Sequence, residues 1–198
     1  KEITIFVQKF INENPQNPLT IKCYAKLIET NETLKQRESV IALMKKMGEV
    51  CQSNNITSNN EPSDKTCQEQ FRSVNLEISK KWWEIWLKNK NNLEFSKLTE
   101  QAFEILLKYD DITQPDSKSR FAYAELLFQL EKYDKASLNY EEVSEHKKID
   151  KTLSHDSLYG ALYSLEKQLE KKDDLSQVER QKALAQRYLK EFPQGDHH

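Results

Sequence analysis

The stretch "FAYAELLFQLEKYDKASLNYEEV", Phe121 to Val143, carries two apolar stripes at helical spacing on either side of a short polar step. Tyr123, Ala124 and Leu127 form the first stripe, and Tyr133, Ala136, Tyr140 and Val143 the second. The alternation period is that of a helix, since residues three and four apart share a face. Alanine at the middle of each stripe lets two helices approach closely, and the tyrosines fill the gaps between them. The stretch therefore predicts a helical hairpin.

The same small signature recurs elsewhere. Tyr24-Ala25 is followed by Ile28, and Tyr159-Gly160 by Tyr163, the latter 36 residues after Tyr123-Ala124. A second signature closes helices: Phe10-Ile11-Asn12-Glu13-Asn14-Pro15 and Tyr188-Leu189-Lys190-Glu191-Phe192-Pro193. Proline stops a helix there, so that another pair can begin. Recurring pairs of this kind bury their apolar faces by stacking on neighbours, which is the logic of a helical solenoid.

Composition agrees with an all-α chain. Only 3 of 198 residues are glycine, against an average near 7%. The five prolines fall between periodic segments. The spacing predicts helices over residues 3–14, 19–30, 63–90, 93–109, 118–131, 133–146, 154–171 and 175–192. A further helix runs to Cys51, with Asn31 and Thr33 as cap-type residues before it and Leu34 turned inward. Residues 52–65, rich in asparagine, serine and threonine, read as a polar loop. Short connections imply antiparallel neighbours.

With 30 basic and 32 acidic residues, the net charge of −2 gives no general attraction to nucleic acid or to an anionic membrane. No segment has the apolar length of a membrane span. Walker, dinucleotide and metal-ligand spacings are absent from the sequence, so no cofactor or metal is expected and nothing argues for an enzyme. Ser154-His155-Asp156 has the letters of a triad, but three consecutive residues at a helix start cannot converge as a triad must.

On Tyr123, Ala124, Leu127, Tyr133, Ala136, Tyr140 and Val143, the chain resembles the tetratricopeptide repeat family. Asp156, Tyr159, Gly160 and Tyr163 match the first helix of a following repeat, which Leu184 to Pro193 would end. Residues 1–51 match as degenerate helices of this type, and 66–112 form an atypical pair holding the tryptophans. The usual first-helix tryptophan is replaced by Arg120 and Asp156. The resemblance implies a right-handed α-solenoid of antiparallel hairpins that binds other proteins, with Tyr24, Ala25, Tyr123, Ala124, Ala136, Tyr140, Tyr159, Gly160 and Tyr163 as repeat-packing residues. The "YLKEFPQGDHH" joint is similar to those of bacterial cell-envelope members of the family. A repeat after Pro193 would extend past His198, so 113–198 is expected to be a pair of repeats cut short. The outer face of 175–192 would then expose Leu184 or Tyr188, or dock them on another molecule.

Cys51 and Cys67 bracket the polar loop. A disulfide between them would close it and requires an oxidising compartment such as the periplasm; two unrelated thiols in a cytoplasmic protein is the alternative. Cys23 remains over as a free, buried thiol. The three tryptophans sit in "KKWWEIW", Lys80 to Trp86. Trp82 continues the stripe of Phe71, Val74, Ile78 and Ile85 and is expected in the core. Trp83, Trp86 and Lys88 are the candidate protein-binding patch, with Trp83 or Trp86 nearer solvent. The expected function is a non-enzymatic scaffold for other proteins. The alternative is a nucleic-acid or envelope-polymer module built on the aromatic and basic residues of 80–90.

Overall fold

The computed structural model describes residues 2–15, 17–53, 66–109, 116–146, 149–171 and 175–193. Among them are nine α-helices and no strand: α1 (Glu2–Glu13), α2 (Leu19–Thr33), α3 (Arg37–Ser53), α4 (Cys67–Lys88), α5 (Leu93–Tyr109), α6 (Ser117–Gln129), α7 (Tyr133–Glu145), α8 (Lys151–Lys171) and α9 (Leu175–Glu191). The chain divides into two compact units, residues 1–115 and 116–198. The segments expected as separate regions, 1–51 and 66–112, thus pack as one unit. Residues 54–65, most of the expected polar loop, lie outside the described residues, and Gln52 and Ser53 belong to α3.

Local chemistry sets the helix ends. At the start of α4 the Thr66 hydroxyl accepts from the Glu69 N–H at 3.2 Å, and the Glu69 carboxylate accepts from the Thr66 N–H at 2.7 Å. This reciprocal capping box begins the helix at Cys67, later than the sequence spacing predicts. Asp116 caps α6 by accepting from the Lys118 N–H.

Asn31 and Thr33 do not begin a helix. Both lie inside α2, where each side chain donates to a carbonyl four residues back. The chain turns instead at 34–36, leaving Leu34 61% exposed rather than inward. Lys35 takes the left-handed conformation, φ 59°, and Gln36 N–H donates to Asn31 C=O while Lys35 N–H donates to Glu32 C=O. The α6–α7 turn repeats this bond for bond: Glu131 has φ 57°, Lys132 donates to Leu127 and Glu131 to Phe128. Each is a Schellman ending with a charged residue where glycine is usual. Tyr24 precedes its turn by about one helical turn more than Tyr123 does, so the two Tyr-Ala signatures are not in register.

In unit 1, α3 and α5 run parallel. Arg37 at the start of α3 lies 4.5 Å from the centre of the Phe95 ring near the start of α5, and Gly48 near the end of α3 meets Tyr109 at the end of α5. Consecutive helices run antiparallel: Phe71 early in α4 meets Tyr109 edge-on, and Trp83 late in α4 meets Phe103. A disulfide joins Cys51 in the last turn of α3 to Cys67 at the start of α4, Cα–Cα 5.5 Å. Cys23 is a half-buried free thiol rather than a buried one.

Unit 2 follows the same plan. Asp134, Glu141 and Ser144 along α7 meet Gln177, Arg180 and Arg187 in the same order along α9, at 3.2, 3.0 and 2.9 Å. Between α6 and α7, Arg120 reaches Glu142 at 2.8 Å, and the Tyr140 hydroxyl donates to Glu125. Burial, and then the neighbouring Glu125 carboxylate, push the Tyr140 phenol far above its ordinary range, so it stays protonated. Leu184 and Tyr188, expected on an exposed outer face, are buried. They lie four apart on the face that meets α8, where Tyr188 Oη sits 2.8 Å from His155 Nε2. Leu175 and Leu189 are the large apolar residues of α9 that face solvent.

Both helical glycines lie under tyrosine rings. A Cβ on Gly48 would stand 2.5 Å from Tyr109 Cγ, and one on Gly160 would stand 3.0 Å from the edge of Tyr140. Gly48→Ala should therefore cost about 1–3 kcal/mol through overpacking, more than the roughly 1 kcal/mol of helix propensity that alanine restores. Gly160→Ala should be close to neutral, because the ring needs to yield by only tenths of an ångström. Urea denaturation of the two variants checks this ordering.

Candidate functional site

On unit 1, α2 and α4 lie side by side with a groove between them of about 460 Å³. Glu32 in the last turn of α2 fixes their spacing at one end. One carboxylate oxygen accepts from Trp82 Nε1–H at 3.0 Å, and the other pairs with Lys81 Nζ at 3.0 Å. The Glu32 side chain is only 11% exposed and the Lys81 side chain 54%, so the bond to buried Trp82 is the enclosed part of this charge-assisted link and the Lys81 pair is the solvent-facing part.

The helical repeat determines what lines the groove. Lys22, Ala25, Glu29 and Glu32 follow one another at three- and four-residue steps along α2; Gln70, Val74, Glu77 or Ile78, and Lys81 do so along α4. Ile28 and Ile78 are buried and form its floor, while Ala25 and Val74 are half-exposed. The gap exists because those two positions carry short side chains. Lys22 and Lys26 mark one end of the α2 rim, and Lys26 pairs with Glu29 at 2.7 Å further along. The lining offers aliphatic surface, ammonium, carboxylate and amide groups, and neither histidine nor cysteine. Such a surface can hold a ridge of apolar side chains and orient it by charge.

Ala25 thus borders an open groove instead of packing between two helices. Tyr24 beside it is buried, and burial with the nearby Glu49 carboxylate raises its phenol above the usual range. Tyr123, Ala124, Ala136 and Tyr140 are buried in unit 2. Gly160 is half-buried beneath Tyr140. Tyr159 is half-buried, and Tyr163, expected in repeat packing, is 39% exposed. It stacks on Phe128 at 5.4 Å and lies parallel to Tyr159 at 6.2 Å.

The tryptophans require a correction. Trp82 is fully buried, but Trp86, assigned to an exposed patch, is 1% exposed and donates to Lys90 C=O at 3.3 Å. It shares the face of Trp82 four residues away, and that face turns inward to the end of α4. Ile85, expected inward, lies at the rim of solvent exposure. Trp83 is half-buried against Phe103, its Nε1–H enclosed without an acceptor among the described residues. Of the patch Trp83, Trp86 and Lys88, only Lys88 is exposed.

His155 contacts Asp156 at 3.1 Å and Tyr188 at 2.8 Å, which ties α8 to α9 without bringing Ser154 into a relay. Among the described residues no helix is long and apolar enough to cross a membrane. Sequence reasoning missed Glu32 and the groove altogether. The small residue at Ala25 was the available signal, but smallness alone does not distinguish a tight contact from a gap. Compared with protein-family models, curated proteins and solved structures, the chain finds no match.

Proposed function

We propose that this chain is a protein-interaction scaffold of stacked helical hairpins, similar in plan to tetratricopeptide repeats, and that the α2–α4 groove seats a segment of a partner protein. The observation that carries this reading is the groove itself, an apolar floor between charged rims held open by Ala25 and Val74 and braced by Glu32. Antiparallel consecutive helices, with α3 parallel to α5 and α7 parallel to α9, support the hairpin-stack plan. The buried Cys51–Cys67 disulfide supports residence in an oxidising compartment, of which the bacterial periplasm or cell envelope is our proposal. A stacking platform for nucleic acid at 80–90 loses support, because Trp82 and Trp86 present no ring to solvent.

Filling the groove tests the proposal. Ala25→Phe places a ring in the gap at a half-exposed position, so its melting temperature should stay near that of the parent. Peptides selected from a displayed library against the parent should lose at least about tenfold in affinity for Ala25→Phe, the equivalent of about 1.4 kcal/mol. Equal affinity for both proteins would exclude the groove as the seat.

A further inference from the structure

One end of unit 1 has a surface unlike the groove. The turn at 34–36 and the turn at 89–92 lie at this end, since Glu32 reaches Trp82 and Arg37 reaches Glu94 and Phe95. Three leucines stand out there: Leu34 at 61%, Leu87 at 42% and Leu93 at 72% exposure. Scattered exposed leucines need no explanation, but Leu34 lies in the first of these turns, and Leu87 in the last turn of α4 and Leu93 at the first residue of α5 flank the second. Lys35, Lys88 and Lys90 lie among them, and the remaining turn residues are the amides Gln36, Asn89, Asn91 and Asn92. Acidic groups at this end are Glu32, held by Lys81 and Trp82; Glu94, beside Arg37; Glu38; and Glu84, exposed one helical turn before Leu87 and Lys88.

Lys35 is the most telling residue. It occupies the left-handed turn position that Glu131 occupies in unit 2. Glu131 is paired there with Lys171 at 2.6 Å, whereas neither Lys35 nor Lys88 has an ion-pair partner among the described residues. The second turn is rigidly built: Trp86 donates to Lys90 C=O, Asn92 N–H to Asn89 C=O, and Phe95 N–H to the Asn92 side chain. Leucines presented on and beside hydrogen-bonded turns, with cations next to them, match the acyl boundary and anionic headgroups of a bilayer surface.

We propose that this end of unit 1 docks on an anionic lipid surface, with Leu34, Leu87 and Leu93 entering the interface and Lys35 and Lys88 meeting the headgroups. This lies beyond the peptide-binding role and does not depend on it. Co-sedimentation with vesicles of phosphatidylcholine alone, and of phosphatidylcholine mixed with phosphatidylglycerol, provides the test. The full chain should bind the mixed vesicles, and much less the neutral ones, with affinity falling as salt is raised. Lys35→Gln and Lys88→Gln should each weaken binding about fivefold. Leu34→Ser with Leu93→Ser should nearly abolish it, while Leu175→Ser with Leu189→Ser, exposed leucines of unit 2, should leave it unchanged. These are surface positions, so circular dichroism melting should show all variants folded. Failure of the parent to bind, equal binding to both vesicles, or equal losses from the two leucine pairs would overturn the proposal.

Discussion

Trp82→Ala is expected to destabilise the protein by about 3–5 kcal/mol, the range for truncating a fully buried large aromatic residue. Trp82 has no exposed surface, and its indole N–H is the donor to Glu32. The alanine variant therefore leaves both a cavity and a carboxylate stripped of one partner at an 11% exposed position. Trp86→Ala should fall in the same range, since that ring is 1% exposed. Trp83→Ala should cost clearly less, because its ring is half-buried and makes no hydrogen bond among the described residues. Urea denaturation of the three single variants ranks them, and equal small losses would contradict a core built on Trp82 and Trp86.

Removing the disulfide should have the next largest effect. Cys51 and Cys67 are 16 apart in sequence, and a closed loop of that size is worth roughly 3 kcal/mol through the reduced freedom of the unfolded chain. Both residues are buried, so reduction of the folded protein should be slow without denaturant. The Cys51→Ser, Cys67→Ser variant should unfold at lower urea than the parent, and reductant should lower the parent's midpoint without affecting the variant. Alkylation of unfolded, non-reduced protein followed by mass spectrometry should modify Cys23 alone. Modification at all three cysteines would contradict the bridge.

The helices were legible in the sequence because apolar spacing reports directly on which face is buried. The 93–109 prediction coincides with α5, and α4 was recognisable from Phe71, Ile78 and Trp82. The buried face of α4 was less so, because it also carries Asn75 and Ser79, both buried. Asn75 Nδ2 donates to Phe71 C=O at 2.7 Å and Ser79 Oγ to Asn75 C=O at 2.8 Å, so both donors are satisfied within the helix itself, while Asn75 Oδ1 has no partner among the described residues. Reading only apolar letters therefore takes Ile85 as inward and leaves open whether Trp83 or Trp86 is nearer solvent; Trp83 is. The α2–α3 turn was hidden for another reason. Its left-handed residue is a lysine, and neither Lys35 nor Glu131 carries the glycine signal that marks such a turn.

The site was the least legible part. Glu32 and Trp82 are 50 residues apart, and only packing of α2 beside α4 makes them partners. Ala25 belongs to the same Tyr-Ala signature as Ala124, yet Ala124 is sealed in the core while Ala25 borders open space. A small residue permits close approach; whether a neighbour takes the place depends on helices distant in sequence. Tyr163 illustrates the same point in reverse, an aromatic at a packing position left partly exposed because Phe128 covers it only partly.

The role of the groove is tested most directly by an amide NMR titration of the intact chain with a library-selected peptide. Resonances of Ala25, Val74 and Lys81 should shift and saturate together, while those of Leu138 and Leu189, exposed on unit 2, should stay in place. Shifts confined to residues outside the α2–α4 groove, with Ala25 and Val74 unmoved at saturation, would contradict it.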